Sequence, residues 1–456
     1  MPIDRTTLPP VGADPAFSFP PVARYRLDNG LEVCIVEERR MPIVSFALVV
    51  AGGSGIDPRG LDGLAGILAD MLDEGSGTRG AIEISEELAS VGAEYEVEVG
   101  PDATTASMTT LAKFADRGAR LLADMLVRPA LRQADFDRVQ QLRRDRLRQM
   151  KDVPGAVAER AFLHLLYGDH PYGHLAIGDE ESLAGFSLED IVAAHGSSFV
   201  PSRATMVVAG GLPAADLLAL ARDTFGTWTG PTDAAERVPA ADVPMIGNGR
   251  ARLALVPREG AAQSEVRIGR LVSPRLTPDY PSLVVMNAVL GGQFVSRINL
   301  KLREEKAYTY GARTGFDWKK GISPLALHAS VHTASTAEAI ADSMVEFSGL
   351  RGLRPVTASE LELAKASLTR GYPQHFQTVP QLARAVGQLS LFELPENYFS
   401  TFIPLINAVS ADDVSRVACA HLDPESCITL VVGDERVVAE PLSRLGLPSL
   451  EVLPAD

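Results

Sequence analysis

The sequence predicts an α+β fold made of two similar repeats, each a mainly antiparallel sheet packed with helices. Three observations carry that prediction. Short apolar strand patterns come in hairpin-like groups, separated by runs of helical periodicity rather than by single crossover helices. A helix start with capping-box character, Ser187-Leu188-Glu189-Asp190, returns as Ser410-Ala411-Asp412-Asp413. Each start is followed by a buried-strand pattern, Thr205 to Gly210 and Thr429 to Asp434, 18 and 19 residues after its serine.

Taken in order, the proline-rich lead ends near Pro20. Ala23 to Leu27 and Leu31 to Val36 then flank Asn29-Gly30, a hairpin signal. Val44 to Val50 reads as an apolar strand stopped by Gly52-Gly53-Ser54-Gly55. Helical spacing runs from about Gly60 to Leu72 and from Ile82 to Ser90, before strands at Glu94 to Val99 and Thr104 to Thr110. Helices follow at Leu111 to Leu126, at Asp135 to Met150 (halted by Pro154), at Ala156 to Leu166 and at Leu188 to Ser197. The second half repeats the plan, with strands from Leu253 and Val266, then helices, then strands at Ala307 to Phe316 and Leu325 to Val331. Gly, Pro, Thr and Asp concentrate between Trp228 and Gly249, which marks the seam. The expected division is an extension over 1–22, domains over 23–229 and 250–456, and a linker over 230–249.

Composition narrows the function. A 456-residue chain with 46% hydrophobic and 22% charged residues is an ordinary globular sequence. A net charge of −15 opposes nucleic-acid or anionic-membrane partners. Cys34, Cys419 and Cys427 are too few and scattered for a disulfide framework or thiolate metal site. No apolar run approaches a membrane span. The reading is cytoplasmic, or periplasmic if a signal peptide was removed before this numbering began.

Several strings converge: Leu27-Asp28-Asn29-Gly30, Gly52-Gly53-Ser54-Gly55-Ile56-Asp57, Gly63-Leu64-Ala65, Met71-Leu72-Asp73-Glu74-Gly75-Ser76, His170-Pro171-Tyr172-Gly173 and Leu302-Arg303-Glu304-Glu305-Lys306. Together they resemble the pitrilysin/insulinase metallopeptidases, which include the mitochondrial processing peptidases. The resemblance runs from about Arg24 to Asp434. Active members carry H-x-x-E-H on the helix after the glycine turn. Two histidines four apart share a helix face and bind zinc, while the glutamate activates water. Alignment on the flanking residues puts Gly66, Ala69 and Asp70 in those places. The family's third ligand, a glutamate before Asp-x-Pro, falls on Arg146 when counted back from Asp152-Val153-Pro154. None of the four fits zinc, so the resemblance implies a degenerate site with no metal in this chain. Opposite charges at Asp70 and Arg146 suggest an ion pair in place of the metal.

Other histidines offer no substitute. His164, His170 and His174 read as capping and packing a surface loop, and His328 and His332 as neighbours on one strand face. Arg143, Arg144, Arg146 and Arg148 read as a solvated helix face.

The second half resembles the substrate-side half of such a site. In the resembled family an arginine and a tyrosine spaced as Arg303 and Tyr310 hold the substrate backbone and stabilise the oxyanion. Tyr308 competes for the tyrosine role, since it would share a strand face with Tyr310. The resemblance implies a non-catalytic subunit of a heterodimeric zinc endopeptidase, lending Arg303 and Tyr310 to a zinc-bearing partner that cleaves peptides or unfolded polypeptide. Backbone pairing with an edge strand would add affinity. The alternative is a peptide-binding or structural core-type protein without a peptidase role.

Overall fold

The computed structural model describes residues 16–230 and 252–454. Strands β1 (Ala23–Arg26), β2 (Glu32–Glu37), β3 (Ile43–Ala51), β4 (Glu94–Val99), β5 (Ala103–Leu111) and β6 (Ala204–Gly210) form one sheet, ordered β1-β2-β6-β3-β5-β4. Strands β7 (Arg252–Pro257), β8 (Gln263–Ser273), β9 (Ala312–Phe316), β10 (Ser323–His332), β11 (Ile428–Gly433) and β12 (Leu450–Val452) form the second, ordered β9-β10-β8-β11-β7-β12. The run β2-β6-β3-β5-β4 is matched by β7-β11-β8-β10-β9. In both, the first pair is parallel and the rest antiparallel. The two-repeat expectation thus holds at the level of strand order. The expected linker lies outside the described residues from residue 231 onward.

Local chemistry sets the elements. Gly30 takes a left-handed φ of 91°, and Asn29 Nδ2 donates to the carbonyls of Phe225 and Trp228, pinning the first hairpin to the end of a later helix. Ser187 with Asp190, and Ser410 with Asp413, form the two expected capping boxes. Helix α1 is Leu64–Met71, shorter than the predicted span from Gly60, because Gly60 and Gly63 hold positive φ and break the helical path. The strand expected from Ala307 begins only at Ala312. Ala307 takes φ 53° and diverts the chain into a loop over 307–311.

Sheet alternation sends each sheet's two faces to different cores. In the first sheet, Val33, Ile35, Phe46, Leu48 and Val208 face helices Ala115–Val127 and Ala214–Phe225. The helices α2 (Gln133–Lys151), α3 (Pro154–Tyr167) and α4 (Val379–Leu391) complete the arrangement. Helix α4 comes from the second half of the chain, yet it packs on β3 and β6, over Cys34, Val36, Ala47, Val207 and Ala209. Reciprocally, α3 comes from the first half and packs on β8 and β11 of the second sheet, among Ala254, Val256, Leu430 and Val432. The two halves therefore exchange a helix each. Polar contacts reinforce the exchange: Tyr167 Oη donates to Ile322 O at 2.7 Å, and Asp102 accepts from Lys320 N at 2.7 Å and from the Tyr172 hydroxyl. At the amino end, Phe17 and Phe19 cross to the second half and pack their rings on Tyr372, Phe376 and Phe399.

Candidate functional site

Helices α1 and α2 lie against one another and bring the degenerate metal positions together. Gly66 is buried on that contact. A Cβ there would come within 1.9 Å of Ala176 O and 2.5 Å of the Arg143 guanidinium, so the position tolerates no side chain. Arg143 is itself buried. Its Nη1 donates to Asp70 Oδ2, and its Nη2 donates to Ala176 O at 2.6 Å. A guanidinium thus lies where a side chain from position 66 would project, tying α1, α2 and the loop around Ala176 together.

That arrangement corrects two expectations. Asp70 does have an arginine partner on α2, but it is Arg143 and not Arg146. Arg146 is exposed and has no ion-pair partner among the described residues. The cause is helical geometry. Phe136, Val139, Arg143 and Leu147 form the buried stripe of α2, and Arg146 sits roughly 60° off that line at 100° per residue. Nor are the arginines a uniformly solvated face, since Arg143 belongs to the interior. The periodicity of Phe136, Val139 and Leu147 was the sequence signal that could have singled it out. Gly66 offers no ligand, buried Ala69 no base, and Asp70 is engaged, so these residues do not fit a zinc ion. Among the described residues no group of three or more His, Cys, Asp or Glu side chains is placed to hold a metal.

Next to α1 lies a second cluster, in which His174, expected to cap and pack a surface loop, is largely buried against carboxylates. The buried Asp57 carboxylate accepts from Gly63 N and Ala65 N, both at 2.8 Å, and so caps α1. His174 Nε2 lies 3.2 Å from Asp57 Oδ2, and its Nδ1 lies 3.8 Å from Asp62. Burial alone would lower the imidazole pKa; the hydrogen bond to Asp57 and the charges of Asp62, Asp57 and Asp179 outweigh it and raise it. His174 is thus an interior partner of two carboxylates. His170 does cap its turn, with Nδ1 accepting from Tyr172 N at 3.0 Å.

The Arg303 region lies on the other sheet. Leu300–Glu305 winds as a π-helix, with Lys306 N donating to Lys301 O. The guanidinium of Arg303 stacks 4.2 Å above the ring of Phe294, which holds it without spending its donors. Its Nη1 has no hydrogen-bond partner among the described residues and meets Glu304 only at 3.5 Å. Tyr310 is 90% exposed. Tyr308 and Tyr310 do not share a strand face, because both sit in the loop before β9. Between them Thr309 is buried, donating from Oγ1 to Ser330 O at 2.7 Å and receiving Gly311 N at 3.1 Å. Tyr308 packs against the core while Tyr310 stands in solvent. Burial raises the Tyr308 phenol pKa, helped by Asp342 and Glu338.

Two family models match this chain. "Insulinase (Peptidase family M16)" matches residues 32–179 and "Peptidase M16 inactive domain" matches 185–368. The chain belongs to the M16 (pitrilysin/insulinase) family. It is 26% identical over 411 residues to an uncharacterized zinc protease of Mycobacterium tuberculosis, covering 89% of this chain and 92% of that one. It is 21% identical over 403 residues to a protein of Helicobacter pylori named non-peptidase homolog YmxG, covering 88% and 91%. Its fold matches the crystal structure of a peptidase M16 inactive domain from Pseudomonas fluorescens. That match has a TM-score of 0.83, 22% identity, and coverage of 91% of this chain and 98% of that one. The M16 assignment fits the two repeats and the degenerate position at Gly66. Among the described residues no helix is long and apolar enough to cross a membrane.

Proposed function

We propose that this M16 chain is the non-catalytic subunit of a heterodimeric endopeptidase. It lends Arg303 and Tyr310 to the zinc site of a partner M16 subunit that hydrolyses peptides. One observation carries the reading. Tyr310 is almost wholly exposed, and beside it Arg303 is stacked on Phe294, half-buried, with an Nη1 that is shielded from solvent and has no hydrogen-bond partner among the described residues. The chain's own metal position is meanwhile filled by Arg143. A guanidinium and a phenol are suited to stabilising an oxyanion once a partner closes over them and excludes water. Tyr308, turned to the core, keeps the loop in place and is at most a secondary substrate contact. The same reading treats 23–229 and 250–456 as the two domains, joined by 230–249 and preceded by the extension 1–22.

The test is cleavage of an unstructured peptide by this chain alone, by a zinc-bearing M16 partner alone, and by the two mixed. Activity should need both chains and fall by about 10²-fold or more with Arg303→Ala or Tyr310→Phe. A mixture no more active than the partner alone would remove the catalytic role. It would leave the alternative, a peptide-binding or structural core-type protein without a peptidase role, in keeping with the non-peptidase name of the Helicobacter pylori relative.

A further inference from the structure

A shallow pocket of about 520 Å³ opens beside Phe294, the residue that carries Arg303. Its wall is the part of the α3-bearing face of the second sheet that lies beyond the helix. Strand register places Arg267 on β8 opposite His328 on β10, and His328 opposite Arg313 on β9. Three side chains therefore line up across adjacent strands on one face, with His328 between the two guanidinium groups. The two guanidinium groups flank the imidazole from either side and disfavour a proton on it.

The local charges are unequally satisfied. Arg267 is buried, bound to Glu265 at 2.9 Å and 4.0 Å from Glu159 on α3. Glu265 also accepts from the Ser330 hydroxyl, so both of its oxygens are engaged. Arg313 is exposed and has no ion-pair or hydrogen-bond partner among the described residues. A cation at a pocket mouth, backed by a second guanidinium, beside an engaged Glu265 and sharing the charge of Glu159 with Arg267, has donors free for a carboxylate.

We propose that this pocket is a carboxylate subsite, in which Arg313 takes an aspartate or glutamate side chain of the polypeptide held at the Arg303 loop. The inference rests on the peptide-binding part of the function proposed above and adds a substrate class to it. The chain as a whole is acidic, with net charge −15, so long-range steering does not favour such a peptide. Selection arises at contact. A bound carboxylate would also change His328. Burial and the charges of Arg267 and Arg313 push its imidazole down to about 4, against a smaller opposite effect of Asp317. Glu265 and, from α3, Glu159 complete the titratable groups facing this row. An added anion raises that value.

The experiment uses the full chain without a partner and two fluorescent 12-residue unstructured peptides, identical except for one central Glu or Gln. Binding is read by anisotropy, and the His328 imidazole is followed by NMR across pH. The expected result is about tenfold tighter binding of the Glu peptide, lost in Arg313→Ala, with the His328 titration moved upward only by the Glu peptide. Arg313 is exposed, so its replacement leaves folding intact; Arg313→Lys should restore part of the preference. Equal binding of both peptides to the unmodified chain, or a preference that survives Arg313→Ala, overturns the subsite while peptide binding itself stands. Failure of both peptides to bind also overturns it, whereas failure of the mixed-subunit cleavage assay alone strikes only the catalytic reading.

Discussion

At Gly66 the space for a side chain is taken by Arg143 and by the Ala176 carbonyl. Gly66→Ala should therefore cost about 2–4 kcal/mol in urea unfolding, because the added methyl meets backbone as well as a flexible side chain. Arg143→Ala should cost about 1–3 kcal/mol, since it strands the Ala176 carbonyl and removes the contact to a half-exposed Asp70. Arg146→Ala, only one turn away, should stay within about 0.5 kcal/mol. Equal effects of the two arginine substitutions would contradict the geometry. The loss of metal ligands at positions 66, 69 and 70 could be read from side-chain chemistry alone. Which arginine took over could not, because counting from Asp152-Val153-Pro154 ignores where the buried stripe of α2 points. Tyr310 was legible as a candidate, but its exposure depends on Thr309 turning inward, a detail that strand alternation did not supply.

Elements were more legible than their ends. The hairpin at Asn29-Gly30 and the capping boxes at Ser187 and Ser410 are encoded within a few residues, so they appeared where expected. The start of α1, fixed by Gly63, is also capped by Asp57, whose carboxylate is held by His174, a partner that sequence spacing does not join. That pair makes the start of α1 sensitive to pH. His174 has a raised pKa in the folded chain, so its contribution is complete below the ordinary imidazole value and is lost as pH rises through the raised one. The unmodified chain should thus lose more thermal stability between pH 6 and pH 8 than His174→Gln does. Parallel pH profiles for the two proteins would show that the Asp57 contact carries no proton-linked stability.

For the whole molecule, strand order repeats between the halves as the sequence implied, but the exchange of α3 and α4 was invisible to it. Apolar periodicity tells that a helix has a buried face and not which sheet that face meets. Because each sheet borrows a helix from the other half, the chain should unfold in one cooperative transition, with calorimetric and van't Hoff enthalpies equal. Residues 16–230 expressed alone should bind a hydrophobic dye and lack a sharp melting transition, because Cys34, Val36, Ala47 and Val207 lose the cover of α4. Two separate melting steps would contradict the interlock.

The exchanged helices also impose a schedule on the nascent chain. The first sheet is complete once Gly210 has emerged, yet α4, which covers one of its faces, begins only at Val379. At about 5–20 residues per second, that leaves an apolar sheet face open for roughly ten to thirty seconds during synthesis. The interval is long enough for ribosome-associated holdases to engage it, and a stalled ribosome would release a half-molecule with that face bare.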